Sequence, residues 1–258
     1  MIELLACGET LPEAYHEALV KLYKFGDVVE DNDHDTLCKE VSMTMQVFKP
    51  LAEPMISRMV PCGPYDLERY RLEMLDGIMD FNVGHGWDYT YHDRMTSWYA
   101  GGEVIDQVEF VVDELNRNKT TRRAVIDVRN NAEDVYSSDP ACLQHIEYFA
   151  RGSRLDCCVT FRSNDAVRAA YMNAFALIKL QERIAGKLGL KVGTYSHRAN
   201  SFHAYETSWD LLESYVKRAE SGEDTTYDFA GDWEIQMEEA RPIILEEVKK
   251  LHERSRSY

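Results

Sequence analysis

Apolar Val41, Met43, Met45 and Val47 alternate with polar Ser42, Thr44 and Gln46, the period of two expected of a strand buried on one face. Ahead of it, Thr10 and Glu13 form a capping-box pair, Pro12 stands in the first turn and Gly26 sits where a C-terminal cap belongs. These signals predict a helix from about Leu11 to Phe25. The period lengthens to that of a helix from Tyr65 to Met79. It does so again from Val104 to Leu115, where Val104, Val108, Val111, Val112 and Leu115 share one stripe. Strand-like sequence returns over Arg123 to Val128, Leu143 to Ala150 and Leu155 to Phe161, the last two joined through the turn Arg151-Gly152-Ser153. Leu155, Cys157, Val159 and Phe161 fall on one side of their strand, so only one of the vicinal Cys157 and Cys158 is expected to be buried. Asn173 to Leu188 reads as a long helix, apolar round much of its circumference and closed by Gly189, placed at the centre of the molecule. A strand around Tyr195 to Tyr205 and helices near Ser208 to Ala219 and Trp233 to His252 complete an α+β pattern.

The 258 residues show no repeat, low-complexity tract or Pro/Ser-rich linker, and a single domain over residues 1–258 is the expectation. No apolar run approaches the roughly 20 residues that cross a bilayer, and no basic-then-apolar leader opens the chain. A cytoplasmic protein without membrane contact is expected. Cysteines 7, 38, 62, 142, 157 and 158 make no CxxC pair, which argues for free thiols over a disulfide frame or a structural zinc site. His85, His92 and His145 have no metal-site spacing. The formal charge of -16, from 29 Lys+Arg against 45 Asp+Glu, repels nucleic-acid phosphates, so no nucleic-acid partner is expected. Against that background Arg122-Arg123 and Arg162 stand out as places for a small anion.

A free cysteine is more often a small buried hydrophobe than a nucleophile. Cys142, however, follows Asp139-Pro140-Ala141 at the head of a strand, and Arg162 opens the polar run Arg162-Ser163-Asn164-Asp165 at the end of the strand expected to pair with it. A hairpin would bring the two together, and a guanidinium beside a thiol favours the attacking thiolate.

Arg122-Arg123-Ala124, Pro140-Ala141-Cys142, Arg162-Ser163-Asn164-Asp165, Asn173 and His203-Ala204-Tyr205 together resemble the signature positions of thymidylate synthases, with fitting spacings from Arg122 to Tyr205. The likeness extends more weakly from about His34 through Trp209. It implies a three-layer α+β fold with a mixed sheet, a long central helix and a sheet-mediated homodimer. It also implies transfer of a one-carbon unit from 5,10-methylenetetrahydrofolate, a co-substrate, to C5 of a pyrimidine nucleoside monophosphate, with no metal. By that resemblance Cys142 adds to C6 of the base, Arg162 touches phosphate and thiol, and Ser163 helps hold the phosphate. Arg122 and Arg123 reach the partner subunit's site, and Asn173 reads O4 and N3-H of uracil. His203 and Tyr205 hold the sugar 3'-hydroxyl, and Asp165 contacts the pterin. The tyrosine that helps remove the C5 proton is Tyr89, with Tyr91 as the alternative, and the glutamate that organises water is Glu68, with Asp66 as the alternative. Taken one by one, Asn173 could equally be a helix N-cap, Asp165 a turn cap, and His203 with Tyr205 a satisfied buried pair.

The departures from the family bear on the product. His34 stands where a phosphate-binding arginine is expected, Leu143 replaces the histidine after the nucleophile, and Phe161 replaces a glutamine. Residues Ala166 to Met172 lack Leu-Gly-x-Pro-Phe, and Glu253-Arg254-Ser255-Arg256-Ser257-Tyr258 lacks the small apolar ending that closes over the cofactor. An open, polar site admits water to the exocyclic intermediate in place of hydride. The expectation is therefore deoxyuridylate hydroxymethylation, then thymidylate synthesis, then cytidylate hydroxymethylation, with a non-catalytic scaffold as the contrasting class.

Overall fold

The computed structural model describes residues 1–255. Arg256, Ser257 and Tyr258, half of the polar ending expected to leave the site open, lie outside them. In chain order the elements are β1 (Glu3–Gly8), α1 (Leu11–Phe25), β2 (Asp27–Asp31), β3 (Thr36–Val47), β4 (Ile56–Ser57), α2 (Pro64–Asp76), α3 (Tyr91–Thr96), β5 (Trp98–Ala100), β6 (Glu103–Ile105) and α4 (Gln107–Arg117). They continue with β7 (Val125–Asp127), α5 (Asn131–Asp134), β8 (Leu143–Arg151), β9 (Arg154–Asp165), α6 (Ala170–Leu188), β10 (Lys191–Tyr205), α7 (Trp209–Ser221), β11 (Thr226–Tyr227) and α8 (Glu234–Ser255). A 3-10 turn at Asp80–Asn82 lies between α2 and α3.

The main sheet runs β1-β3-β10-β9-β8-β7, with β2 also paired to β3. It is mixed, because β1 is parallel to β3 and β10 to β9 while the other pairs are antiparallel. The alternation read in the sequence becomes burial. Val41, Met43, Met45 and Val47 are inaccessible, and so is the β9 row Leu155, Cys157, Val159 and Phe161. Cys157 is buried and Cys158 half-buried, as alternation requires. His197 of β10 stacks on Phe161 at 4.8 Å, and burial pushes its imidazole down to about 3, so it is a neutral core group. Its Nε2 meets Asn164 Oδ1 at 2.8 Å.

Thr10 Oγ1 accepts the Glu13 N–H, and a Glu13 carboxylate oxygen accepts the Thr10 N–H. This closes the capping box at the expected start of α1 and satisfies two orphan donors. α4 begins later than expected. Val104 fits the helical stripe but belongs to the β5–β6 hairpin and is 66% exposed, because Gly101 and Gly102, at φ 63 and 89, form the turn that folds that ribbon. Asp106 then caps α4 by accepting the Glu109 N–H at 2.9 Å. α6 begins three residues before Asn173, with Ala169 as its cap, and ends at Gly189 with φ 63. It packs against β9 and β10 and also against α1, α2 and α4, so apolar residues round most of its surface find a partner.

Gly189 and Gly186 separate backbone conformation from packing, since a Cβ at either meets nothing within 4 Å. Gly189 has a left-handed φ of 63 and Gly186 lies inside α6. Gly189→Ala is expected to lower unfolding free energy by about 1 kcal/mol through left-handed strain. Gly186→Ala is expected to raise it by about 0.5–1 kcal/mol, both read from urea unfolding.

Candidate active site

The site is built on the β8–β9 hairpin, which Gly152 turns with φ 59. Pairing of Arg151 with Arg154 at the turn carries through to Leu143 opposite Phe161 at the open end. There the Arg162 N–H donates to the Cys142 carbonyl at 2.8 Å. The register shifts by one residue between Leu143 and His145, and that irregularity sets Cys142, just ahead of β8, across from Arg162. The Arg162 side chain lies over the same segment: Nε donates to the Ala141 carbonyl at 3.2 Å and Nη2 to the Pro140 carbonyl at 2.6 Å. Asp139 is 3.9 Å from the guanidinium. Burial raises the Cys142 thiol above the ordinary thiol range, Arg162 pulls it back down, and Asp139 adds to the rise. The arginine thus counters a desolvation penalty without outweighing it.

A cavity of about 510 Å³ has a lining that includes Tyr70, Glu73, Trp87, Tyr89, Tyr91 and Asp139, and Cys142 lies near enough to its three tyrosines to act on their phenols. Tyr89 and Tyr91 both face it, with ring centroids 5.8 Å apart. Tyr91 accepts the Leu143 N–H through its hydroxyl at 3.3 Å, and so braces the residue after Cys142. The Tyr89 ring lies 5.6 Å from the guanidinium of Arg94, which is buried and bonded to Asp134 at 2.8 Å. Burial pushes both phenols well up, and the nearness of Cys142 adds to it, so both hydroxyls stay protonated at neutral pH.

The expected glutamate is placed differently. Glu68 is fully buried, bonded to Arg71 at 2.7 and 2.8 Å and to Arg241 of α8 at 2.7 Å. The charge that α2 presents to the cavity is Glu73. Five residues carry a side chain about 140° round a helix, which turns Glu68 toward α8 and Glu73 toward the cavity. Asp66, the alternative, accepts the Gly63 N–H at 3.0 Å at the start of α2. Burial pushes the Glu73 carboxyl up, opposed by Arg69.

Asn173 is buried in the first turn of α6 and is not its N-cap. Its side-chain oxygen accepts a hydrogen bond from the Tyr70 hydroxyl, which joins α2 to α6 at the cavity wall. Asp165 does cap its turn, its Oδ1 accepting the Val167 and Arg168 N–H groups, both at 2.9 Å.

His203 and Tyr205 follow on β10, their rings edge to face at 4.8 Å. His203 is buried, and its Nε2 has no hydrogen-bond partner among the described residues, so the pair is not self-satisfied. Burial drives the imidazole toward its neutral form, with Asp165 pulling the other way. A second cavity of about 480 Å³ joins His203 and Ser163 to the β2–β3 turn. β2 brings Glu30 and Asp31, the turn Asp33, and β3 adds Glu40. Within that turn His34 is held by Asp31 at 2.9 Å, and its ring lies 5.2 Å from Tyr205. Arg122 and Arg123 are exposed between α4 and β7, with no ion pair among the described residues.

Sequence reasoning missed Tyr70, Glu73, Trp87 and Asp88 as cavity residues. The spacing of Tyr70, Glu73 and Met74 on one face of α2 was the available signal.

The model of one protein family, described as thymidylate synthase, matches residues 71–247. Several archaeal relatives carry the name "Putative thymidylate synthase". One from Methanocaldococcus jannaschii is 33% identical over 213 residues, covering 80% of this chain and 93% of the relative. One from Methanosarcina barkeri is 26% identical, covering 81% and 93%, and one from Methanothermobacter thermautotrophicus is 24% identical, covering 80% and 96%.

Arg162→Gln removes the cation that opposes burial at Cys142, so the thiol should titrate still higher. At pH 8 alkylation of Cys142 by iodoacetamide, followed by peptide mass spectrometry, should slow by about threefold to tenfold. An unchanged or faster rate contradicts the coupling.

Proposed function

The chain belongs to the thymidylate synthase family of one-carbon transferases, and from that premise we propose that it modifies C5 of deoxyuridylate with Cys142 as covalent nucleophile. The observation that carries this is the placement of Cys142 against Arg162 and near Tyr70, Tyr89 and Tyr91 of an aromatic cavity, with Tyr70 bonded to Asn173.

The family uses 5,10-methylenetetrahydrofolate as co-substrate, and it supplies the one-carbon unit. The residues present fit such ligands: Trp87, Tyr89 and Tyr91 offer flat walls beside the thiol, and the orphaned Nε2 of His203 calls for a polar partner. Asp165 is the carboxylate we assign to the pterin.

The Cys142 thiolate adds to C6 of uracil, which makes C5 nucleophilic. The Asn173 amide meets the charge that gathers at O4 as that bond forms. Tyr89 serves as the group that relays the C5 proton through water, because the Tyr91 hydroxyl is engaged with the Leu143 N–H. Glu73, raised by burial, takes the place first given to Glu68 as the carboxyl that orders this water. His203 and Tyr205 hold the sugar hydroxyl.

Phosphate binding needs cations that the second cavity lacks, since Ser163 shares it with Glu30, Asp31, Asp33 and Glu40. We assign them to Arg162 and to Arg122 and Arg123 of a second copy. That copy would pack on the sheet face where Gln46, Cys158, Thr160, Ser196 and Arg198 stay partly exposed.

For the product we favour hydroxymethyl, because Asp88, Ser138 and Asp139 give the cavity a polar wall that water can follow to the exocyclic methylene carbon on C5. Methyl transfer is the second reading, favoured by the names of the relatives. Incubation with deoxyuridylate and methylenetetrahydrofolate, with the nucleotide identified by mass, separates them. A 5-hydroxymethyl nucleotide with tetrahydrofolate released is expected. Thymidylate with dihydrofolate would establish the methyl reading, and an unmodified nucleotide would exclude both.

A further inference from the structure

Asn173 is a symmetric-looking reader: turned one way its amide offers N–H to the 4-position of a base, turned the other way it offers a carbonyl oxygen. The first orientation suits uracil, whose O4 accepts and whose N3-H donates. The second suits cytosine, whose 4-amino group donates and whose N3 accepts. An asparagine free to turn discriminates poorly between the two, so some neighbour must fix it if the base is to be read.

Tyr70 is placed to do this. It stands on α2, Asn173 on α6, and the Tyr70 hydroxyl donates to the Asn173 side-chain oxygen. Both side chains are largely enclosed, and Tyr70 also lines the cavity beside Cys142. Burial, with Glu73 as the next contribution, pushes the Tyr70 phenol far up, so the hydroxyl keeps its proton and needs an acceptor. Asn173 Oδ1 is its hydrogen-bond acceptor among the described residues. Turning the amide over would aim its NH₂ at that hydroxyl and leave a buried O–H donor unmatched, which is costly in an enclosed site.

We propose that Tyr70 is a specificity-determining residue that locks the Asn173 amide with its NH₂ toward the base, so that the site selects a 4-oxo over a 4-amino pyrimidine. This rests on the reading of the cavity as a pyrimidine nucleotide site. Tyr70 acts through Asn173 and is a positioning residue. With the amide locked, the 4-amino group of cytosine meets a donor and its N3 meets an oxygen, two repulsive pairings. Sites that read a base by buried polar groups reject the wrong partner far better than sites that read shape alone.

The test is Tyr70→Phe, which keeps the ring and removes only the hydroxyl. Dissociation constants for deoxyuridylate and deoxycytidylate are measured by calorimetry on wild type and variant, and thermal melting checks that the variant is folded. The expected result is that the preference of deoxyuridylate over deoxycytidylate falls by about tenfold, with deoxycytidylate binding more tightly to the variant than to wild type. Asn173→Asp, with Tyr70 intact, serves as a second variant and should also gain cytosine binding, since a carboxylate accepts at both oxygens. If Tyr70→Phe weakens both nucleotides equally and leaves their ratio unchanged, Tyr70 is only a packing residue and the proposal is overturned. If wild type binds neither nucleotide, the cavity is not a pyrimidine site, and the underlying reading fails with the proposal.

Discussion

The register of β8 against β9 fixes most of what matters in this molecule. A slip of one residue along that hairpin would turn Phe161 out of the core and carry Arg162 away from the Cys142 carbonyl. The two-residue turn at Gly152-Ser153 and the buried row Leu155, Cys157, Val159 and Phe161 hold the register from either end. Parallel pairing of β9 with β10 then sets Ser163 opposite Ser201 and Asp165 opposite His203. One set of backbone bonds thus aligns the thiol, its cation and the polar residues of the neighbouring strand.

Electrostatics divides the region in two. Around Cys142 the walls are mainly aromatic, and burial raises the thiol, the phenols and the Glu73 carboxyl alike, so neutral forms are favoured and Arg162 is the local counterweight. Around His203 the walls are carboxylates in a chain of net charge -16. An anionic phosphate is unwelcome there without added arginine, which is the physical ground for proposing that the exposed Arg122 and Arg123 serve a second copy.

The sequence made the regular elements easy to read wherever a local signal and the packing agreed. The capping box of α1, the alternation in β3 and β9, and Gly189 at the end of α6 each combine a terminal signal with a buried face. Val104 misled because its spacing matched a helix while the adjacent Gly101-Gly102 demanded a hairpin, and the turn prevailed. The nearness of Cys142 to Arg162 was legible from the hairpin, whereas the one-residue shift between Leu143 and His145 that sets their final pairing was not. Glu73 and Tyr70 were not, because which face of α2 meets the cavity is decided by Arg241 of α8 drawing Glu68 the other way, a contact 173 residues distant in sequence. His34, in the place of an arginine, is engaged by Asp31, so the departure seen in the sequence is built into the turn itself.

The central claim is that Cys142 attacks the base. Incubating the protein with 5-fluorodeoxyuridylate and methylenetetrahydrofolate traps the attack, because fluorine at C5 cannot leave as the proton does. Intact-mass spectrometry should show one stable adduct carrying both ligands, mapped to the Cys142 peptide and absent from Cys142→Ser. No adduct on the folded protein, or an adduct that survives Cys142→Ser, would contradict the account.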